Sequence, residues 1–203
     1  FTAPVVVRMP CGGGIFGGQT HSQSPEALFT HVCGLKTVIP SNPYDAKGLL
    51  IAAIEDNDPT IFFEPKRRYH EPSPDQLDLA AGPARGLFEA EVLREGTDLT
   101  LLAYGPMVRT CLDVAAAAEA EGRSLEVIDL RTLRPLDKQT VLKSLAKTNR
   151  MVVVEEGWPT CSIASEIAAV VMEQGFDDLD APDTLELLGR APEPARAARL
   201  TRA

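Results

Sequence analysis

Residues 35–65 read LKTVIPSNPYDAKGLLIAAIEDNDPTIFFEP and contain two apolar runs on either side of an amphipathic stretch. The runs LKTVIPS and TIFFEP predict buried strands, because their β-branched and aromatic residues follow one another with few polar interruptions. The stretch between them predicts a helix that begins near Pro43. Five apolar residues recur at helical spacing on one face: Ala46, Leu49, Leu50, Ala53 and Ile54. Strand, helix and strand in this order predict a parallel α/β fold.

The sequence before this segment follows the same logic. Residues 5–7 are three valines and predict a strand. The segment SPEALFTHV predicts a helix, with Ser24 as the N-cap, Pro25 in the first helical position and Glu26 near the positive end of the helix dipole. Because the strand begins almost at once, the first residues resemble the interior of a domain, and we expect further sequence before Phe1.

A second α/β unit follows a segment rich in charge, proline and glycine. Beyond that segment, DLTLLAYG, LEVIDLR and RMVVVEEG predict buried strands, and helices are expected at residues 107–121, 138–147 and 162–176. The predicted fold class is therefore α/β with two parallel-sheet units. The expected division is a first domain at 1–66, a linker at 67–86, a second domain at 87–188 and a tail at 189–203.

Composition excludes several classes of function. The chain has 203 residues, of which 44% are hydrophobic, so it can bury a core of its own. A net charge of −9 argues against an unaided nucleic-acid binder, because phosphate binding needs clustered cations. No apolar run reaches the roughly 18 residues of a membrane span, and no signal-peptide pattern is present. The four scattered cysteines predict buried thiols in a reducing compartment: Cys11, Cys33, Cys111 and Cys161.

Two of the three histidines lie in a segment that runs from a glycine-rich loop into a helix. Glycines at 12–14 and 17–18 let the backbone approach a ligand or partner closely. The loop lacks the spacing of a Rossmann fingerprint and the lysine of a Walker loop, so packing against a partner explains it better than nucleotide binding. From the residues alone, His21 is either structural or an acid/base near neutral pH. We expect His31 to pack in the core or an interface, and His70 to be solvated.

Charged residues flank the second strand of the opening segment. In IEDNDP (residues 54–59), Glu55, Asp56, Asp58 and nearby carbonyls suit a hard cation, although acidic side chains at a helix end are commonly just solvated. They lie at the negative end of the helix dipole, which is unfavourable unless a cation compensates. KRRY (residues 66–69) places three cations beside an aromatic ring, either as a solvated linker or as a contact for an acidic partner.

Long contiguous segments of the chain resemble one protein family. PVVVRMPCGGGIFGGQTHSQSPEALFTHVCGLKTVIPSNPYDAKGLLIAAIEDNDPTIFFEPK, EVIDLRTLRPLD and VVVEEG are similar to the β subunit of the thiamine-diphosphate-dependent decarboxylating component of 2-oxo acid dehydrogenase complexes. The resemblance covers roughly residues 4–182 and reaches site motifs, which a likeness of fold alone would not do. It implies a partial transketolase-like pyrimidine-binding domain followed by a transketolase C-terminal-like domain.

The resemblance implies an oxidoreductase that is active only with an α subunit. Thiamine diphosphate lies between the α and β subunits of an α2β2 heterotetramer, with its diphosphate and magnesium held mainly by the α subunit. Decarboxylation of the 2-oxo acid leaves an acyl group that passes to a lipoyl arm of the acyltransferase core. In this scheme His21, in the HSQ motif, is an active-site acid/base. A structural potassium ion is implied at five residues of the first strand and the helix end: Ala3, Val5, Ala53 through its carbonyl, Asp56 and Asp58.

The chain departs from the family pattern at three places. Family β subunits carry the glutamate that protonates the aminopyrimidine ring before the strand with which this chain begins, and no residue here matches it. Position 58 is usually asparagine in the family and is aspartate here. The last segment, DTLELLGRAPEPARAARLTRA, matches neither the family's proline-containing turn nor its docking tail.

Substrate class and cellular location are predicted less directly. FFEPK resembles the branched-chain type and EEGWPT the pyruvate type, and we expect branched-chain 2-oxo acids. A non-catalytic, truncated paralogue that acts in assembly is the alternative from another class. Transketolase and deoxyxylulose-phosphate synthase fit HSQSPEA poorly. No nucleic acid or membrane partner is expected, and the expected location is the bacterial cytoplasm or the mitochondrial matrix.

Overall fold

The computed structural model describes residues 2–15, 17–71 and 86–180, together with the backbone of residues 185–188. Its strands are β1 (Val6–Cys11), β2 (Lys36–Val38), β3 (Thr60–Pro65), β4 (Glu91–Arg94), β5 (Leu99–Ala103), β6 (Leu125–Asp129), β7 (Thr132–Arg134), β8 (Met151–Val154) and β9 (Leu185–Leu188). Its α-helices are α1 (Gly18–His21), α2 (Glu26–Thr30), α3 (Pro43–Glu55), α4 (Met107–Glu119), α5 (Lys138–Thr148) and α6 (Ile163–Gln174). Short 3₁₀ helices span Lys66–His70 and Phe176–Asp178.

The first sheet has the strand order β1-β3-β2-β7. Both β1 and β2 run parallel to the central strand β3, and Thr60 of β3 lies opposite Val6 of β1 and Lys36 of β2. Helix α3 connects β2 to β3, so the strand–helix–strand prediction for residues 35–65 is confirmed. The central position of β3 explains its apolar sequence, because both faces and both edges of that strand are covered.

Helix α3 begins at Pro43, as predicted. The Asn42 side chain caps it by accepting a hydrogen bond from the Asp45 amide at 2.8 Å. Leu49 and Ala53 are buried against the first sheet. Ile54 is 62% exposed, so its predicted place on the buried face is wrong. It lies in the last turn of the helix, beside the acidic residues at the helix end.

The second sheet has the order β4-β6-β5-β8-β9. Neighbouring strands run parallel except for β4, which pairs antiparallel with β6. Side chains alternate along β5, so that Leu102 packs with residues of α5 and α6, whereas Leu101 packs with residues of α4. Helices therefore cover both faces of this sheet, as its apolar strands predicted.

Strand β7 joins the two units into one structure. It follows β6 along the chain but pairs antiparallel with β2 of the first sheet. The Ile39 amide also donates to the Arg131 carbonyl at 2.9 Å. A single apolar core includes Ile39 and Phe63 from the first unit and Leu102 from the second. The two sheets are mainly parallel, as predicted, and each has one antiparallel pairing at an edge, β7 with β2 and β4 with β6.

Helix ends differ from the predictions by a few residues. Helix α2 begins at Glu26, and its N-cap is Pro25, whose side chain makes no capping hydrogen bond. The predicted cap at Ser24 is therefore wrong, because that residue precedes the cap position. Helix α4 ends at Glu119, two residues before the predicted end at Glu121, and Gly122 follows with a left-handed φ of +78°.

Two of the four cysteines and one histidine are more exposed than predicted. Cys11 and Cys111 are buried as expected, whereas Cys33 and Cys161 are exposed. His31 follows the last residue of α2 and is exposed, because the chain turns away from the core there, so a core position is excluded. His70 is exposed, and its prediction is confirmed.

Much of the predicted linker and all of the predicted tail lie outside the described residues, which omit 72–85 and 189–203. At the start of the predicted linker, residues 67–70 belong to the 3₁₀ helix Lys66–His70. No helix in the described part of the chain is both long enough and apolar enough to cross a membrane.

Candidate functional site

His21 is the last residue of the short helix α1, and its side chain is exposed. Its backbone carbonyl accepts a hydrogen bond from the ammonium group of Lys66, which directly follows β3. The histidine is therefore held near the carboxyl end of the central strand of the first sheet, where functional groups of parallel sheets gather. An exposed imidazole in this position can meet a substrate or a neighbouring polypeptide.

The glycine loop before His21 is shaped by a carboxylate from the second unit. The Gly12 amide donates to the Gln23 carbonyl at 2.8 Å. The Gly13 amide donates to Oε1 of Glu156 at 3.2 Å. Both amides thus have partners within the chain, and one partner is an acidic side chain. The loop is therefore unsuited to hold a phosphate, in agreement with its lack of a nucleotide-binding motif.

We expect Gly12→Ala to destabilise the chain more than Gly122→Ala does. Both glycines have a left-handed φ, near +83° and +78°. A Cβ at Gly12 would lie 2.9 Å from Oε2 of Glu156, whereas a Cβ at Gly122 would meet no atom within 4 Å. Urea unfolding is expected to show losses of about 2 kcal/mol for Gly12→Ala and about 1 kcal/mol for Gly122→Ala. Equal losses would contradict the close approach of Glu156.

A buried group of acids lies behind this loop, and no motif in the sequence marks it. Glu26 of α2 and Glu155, which directly follows β8, both contact the hydroxyl group of Tyr104. Burial is the main cause that raises the pKa of Glu26 to about 7. Tyr104 and Glu155 follow the neighbouring strands β5 and β8, in which Ala103 lies opposite Val154. Polar residues at the ends of two buried strands were the signal in the sequence.

A second polar group joins the two units on the side of α3. The Ser41 hydroxyl donates to Oδ2 of Asp129 at 2.5 Å. Burial raises the pKa of Asp129 to about 7. Arg131 is fully buried and lies within 3.3 Å of carboxylate oxygens of Asp45 and Glu91. The motif EVIDLRTLRPLD thus supplies contacts between the units, which its apolar pattern did not indicate.

The structure brings some of the predicted cation ligands to the same place, at the end of α3. The Ala3 amide donates to the Asn57 carbonyl at 3.0 Å, which places the first strand beside the end of α3. An ammonium group of this chain already lies there, because Nζ of Lys36 is 2.6 Å from both carboxylate oxygens of Asp56 and 3.0 Å from Oδ2 of Asp58. The hydrogen bond from Lys36 holds the pKa of Asp56 below its usual value.

Two backbone carbonyls of the predicted cation site already accept hydrogen bonds from amides of this chain. The Ala3 carbonyl accepts from the Val5 amide at 2.7 Å, and the Val5 carbonyl accepts from the Thr60 amide at 2.9 Å. A carbonyl oxygen has a second lone pair, so neither bond prevents cation binding. The described residues contain no group of three or more His, Cys, Asp and Glu side chains placed to hold a metal ion.

His21 does not line either of two open clefts formed by the described residues. One cleft of about 730 Å³ lies beside Arg8, Glu64 and Tyr69. The other, of about 1060 Å³, lies beside His31 and Cys161. The exposure of His21 places its imidazole on the surface of the described part of the chain, away from these two clefts.

Comparisons with protein-family models match both parts of the chain. The model "Transketolase, pyrimidine binding domain" matches residues 1–72. The model "Transketolase, C-terminal domain" matches residues 89–203, which is more than half of the chain. A solved split-gene transketolase, described as an inactive β4 tetramer, shares this fold with a TM-score of 0.69 at 23% identity, over 83% of this chain and 53% of that chain.

Several curated proteins are similar in sequence. The chain is 50% identical over 196 residues to a 2-oxoisovalerate dehydrogenase subunit beta of Pseudomonas aeruginosa, which covers 90% of this chain and 55% of that protein. It is 50% identical over 179 residues to an acetoin:2,6-dichlorophenolindophenol oxidoreductase subunit beta of Bacillus subtilis. This match covers 88% of this chain and 52% of that protein. It is 44% identical over 180 residues to a pyruvate dehydrogenase E1 component subunit beta of Mycoplasma genitalium. This match covers 87% of this chain and 53% of that protein.

The chain spans about half the length of the curated relatives it matches. The resemblance inferred from the motifs is confirmed by these similarities and by the two domain models. The chain belongs to the transketolase C-terminal domain family, and that domain follows a transketolase-type pyrimidine-binding region.

Proposed function

We propose that this chain is part of the β subunit of a thiamine-diphosphate-dependent 2-oxo acid dehydrogenase component. The observation that carries the proposal is the 50% identity over 196 residues to a 2-oxoisovalerate dehydrogenase subunit beta. The exposed position of His21 supports it, because a site shared between subunits needs its groups on an outer surface. The proposed partners are an α subunit, a second β subunit and a lipoyl acyltransferase core.

The residues of this chain suit one side of a thiamine diphosphate site. When bound, the cofactor supplies the nucleophilic carbon and the electron sink for decarboxylation. The amides of Gly12 and Gly13 have partners already, and Glu156 is negatively charged beside them, so the glycine loop does not fit the diphosphate. The described side chains contain no group of three or more His, Cys, Asp and Glu placed to hold a metal ion. We assign the diphosphate and magnesium to the α subunit, and the reacting end to the surface around His21.

His21 is proposed to move protons at the reacting end. An imidazole can give a proton to a substrate oxygen and take one from a thiol near neutral pH. Binding of the His21 carbonyl by Lys66 limits the motion of the backbone that carries the ring. The imidazole itself is exposed, so Lys66 positions the backbone that carries the ring and not the ring itself.

The proposed substrates are branched-chain 2-oxo acids. FFEPK favours that class, and two relatives named 2-oxoisovalerate dehydrogenase subunit beta share 50% and 46% identity with the chain. Acetoin is the second candidate, because a relative named as an acetoin oxidoreductase subunit is also 50% identical. The proposed location is the bacterial cytoplasm or the mitochondrial matrix, since relatives come from bacteria and from a mitochondrion.

Reduction of an artificial electron acceptor tests this proposal. The chain is mixed with a cognate α subunit, magnesium and thiamine diphosphate, and 3-methyl-2-oxobutanoate, pyruvate and acetoin are compared. We expect the highest kcat/KM with 3-methyl-2-oxobutanoate. A preference for pyruvate or acetoin would contradict the substrate class. A stable complex without activity on any of the three would favour the assembly role.

We also propose that potassium binds at Ala3, Val5, Ala53, Asp56 and Asp58. Replacing potassium by sodium at equal ionic strength is expected to lower the melting temperature by about 2–4 °C, because a ligand that binds only the folded state stabilises it. Lys36→Met is the companion variant, since it removes the ammonium group that lies between Asp56 and Asp58. The potassium effect should be larger in that variant. Identical melting curves in both salts, in both proteins, would contradict the site.

A further inference from the structure

Three buried polar side chains form a row across the contact between the two units. Glu26, Tyr104 and Glu155 are each 2% exposed. The Tyr104 hydroxyl lies 2.8 Å from Oε2 of Glu155 and 3.2 Å from Oε1 of Glu26. Glu26 belongs to α2 of the first unit, whereas the other two residues follow β5 and β8 of the second. The row therefore connects α2 to the carboxyl ends of two neighbouring strands.

Tyr104 has a single hydroxyl hydrogen, and this determines which of the two carboxyl groups must carry a proton. A phenol has one hydrogen and donates it to one acceptor only. The shorter contact is with Glu155, whose Oε2 also accepts from the Ala164 amide at 3.3 Å, so this oxygen carries no hydrogen of its own. If Glu26 were ionised, its contact with Tyr104 would bring two acceptor oxygens together. Its other oxygen, Oε2, is buried without any hydrogen-bond partner, which is costly for a charged group.

We propose that Glu26 is protonated in the folded chain and donates this proton to Tyr104, which in turn donates its own to Glu155. One buried proton then joins helix α2 to the ends of β5 and β8. This inference concerns the fold of the chain and does not depend on the proposed enzymatic function.

The charged groups around Glu26 support this assignment. Burial is the largest cause that raises its pKa to about 7, and the negative charges of Glu155 and Glu156 raise it further. The hydrogen-bond contacts of its carboxyl group with its own backbone amide and with Tyr104 act in the opposite direction on the pKa. Cys11, at the end of β1, also faces this group, and its pKa is raised by burial and by Glu26. A metal ion is not a substitute for the proton, because the described side chains form no metal-binding group of three.

The direction of the pH effect follows from the two states of the chain. The ordinary pKa of glutamate, 4.5, applies when the chain is unfolded, and about 7 applies when it is folded. Between these values the folded chain holds a proton that the unfolded chain has lost, so stability falls as pH rises through this window. Above about pH 7 the loss is complete. It corresponds to roughly a three-hundredfold change in the unfolding equilibrium constant.

Glu26→Gln tests the proposal, because an amide has the shape of the neutral acid and keeps a donor for Tyr104. At pH 8 the unfolding equilibrium constant of this variant, from urea titration, is expected to be roughly three-hundredfold smaller than that of the wild type. Near pH 5 the two should agree within a few-fold. Asp129 also titrates near pH 7, so the difference between the two curves is the relevant quantity. Parallel curves would overturn the proposal.

Two control variants locate the proton. Glu155→Gln removes the acceptor of Tyr104 and the Ala164 amide, so it should lower stability at every pH; it should weaken the pH dependence without abolishing it, because Glu155 also raises the pKa of Glu26. If Glu155→Gln flattened the curve instead, the proton would belong to Glu155 and the assignment to Glu26 would be wrong. Glu166→Gln, on the exposed surface of α6, should match the wild type.

A measurement on the wild type covers the case in which Glu26→Gln does not fold. With ¹³C-labelled glutamate carboxyl groups, NMR should show one glutamate that titrates near pH 7 in the folded chain. If all glutamates titrate near their ordinary value, the proposal is overturned. Labelling only glutamate keeps Asp129 out of the spectrum.

Discussion

His21→Asn is expected to lower the kcat of the protein that carries this chain, assembled with its α subunit, by about 10²- to 10⁴-fold. Asparagine keeps a polar side chain of similar reach but cannot exchange protons near neutral pH. The ring is exposed, and only its backbone carbonyl is bound by Lys66, so the substitution should leave the fold intact. The measurement is acyl transfer to a lipoyl acceptor, compared with reduction of an artificial acceptor.

His70→Asn is the matched control for this experiment. It changes the same residue type on an exposed 3₁₀ helix of the same unit, and nothing places His70 in the proposed site. Its kcat should equal that of the wild type. Unchanged kcat in His21→Asn, with a melting temperature like that of the wild type, would remove His21 from the proposed chemistry.

Arg131→Met is expected to lower the free energy of unfolding by about 3–5 kcal/mol. The guanidinium group is fully buried, and its Nη2 and Nε donate to the Glu89 carbonyl at 2.8 and 3.1 Å. Its Nη1 lies 3.3 Å from Asp45 and from Glu91. Methionine fills a similar volume but leaves the buried carboxylate of Asp45 without its cation, and an unpaired buried charge is strongly destabilising.

A double variant and a surface control show how much of the loss in stability comes from the unpaired charge and how much from changed packing. The double variant Arg131→Met with Asp45→Asn should regain part of the loss, because neither member of the pair is then charged. Arg109→Met breaks the exposed pair with Asp113 and should cost less than about 1 kcal/mol. Urea unfolding measures all three. A loss below about 1 kcal/mol in Arg131→Met would show that the buried pair does not hold the two units together.

Most of the fold follows from local patterns. The strands β3, β5, β6 and β8 are apolar runs, and the amphipathic stretches between strands became α3, α4 and α5. The strands β4 and β7 were missed, because EVLR and TLR are too short and too polar to show a period. Strand β7 exists through its pairing with β2, which only the tertiary structure supplies.

In the candidate site, too, residues marked by a local motif could be predicted, whereas contacts between residues distant in sequence could not. His21 was identified because a motif surrounds it within a few residues. Glu26 was interpreted only as a residue at a helix start, because nothing beside it in the sequence indicates that Tyr104 and Glu155 bury it. Lys36 was not considered as the partner of Asp56, since the ammonium group reaches the helix end only after β2 and β3 pair. Burial and long-range charge pairing therefore had to come from the structure.

Carbon dioxide release is the most direct test of whether this chain supplies one side of a thiamine diphosphate site. Carboxyl-labelled 3-methyl-2-oxobutanoate is incubated with the cofactor, magnesium and either the chain, a cognate α subunit or both. We expect labelled carbon dioxide only when both are present, at a rate that saturates with the amount of chain added. Release by the α subunit alone at the same rate, or a stable complex that releases none, would contradict a shared site.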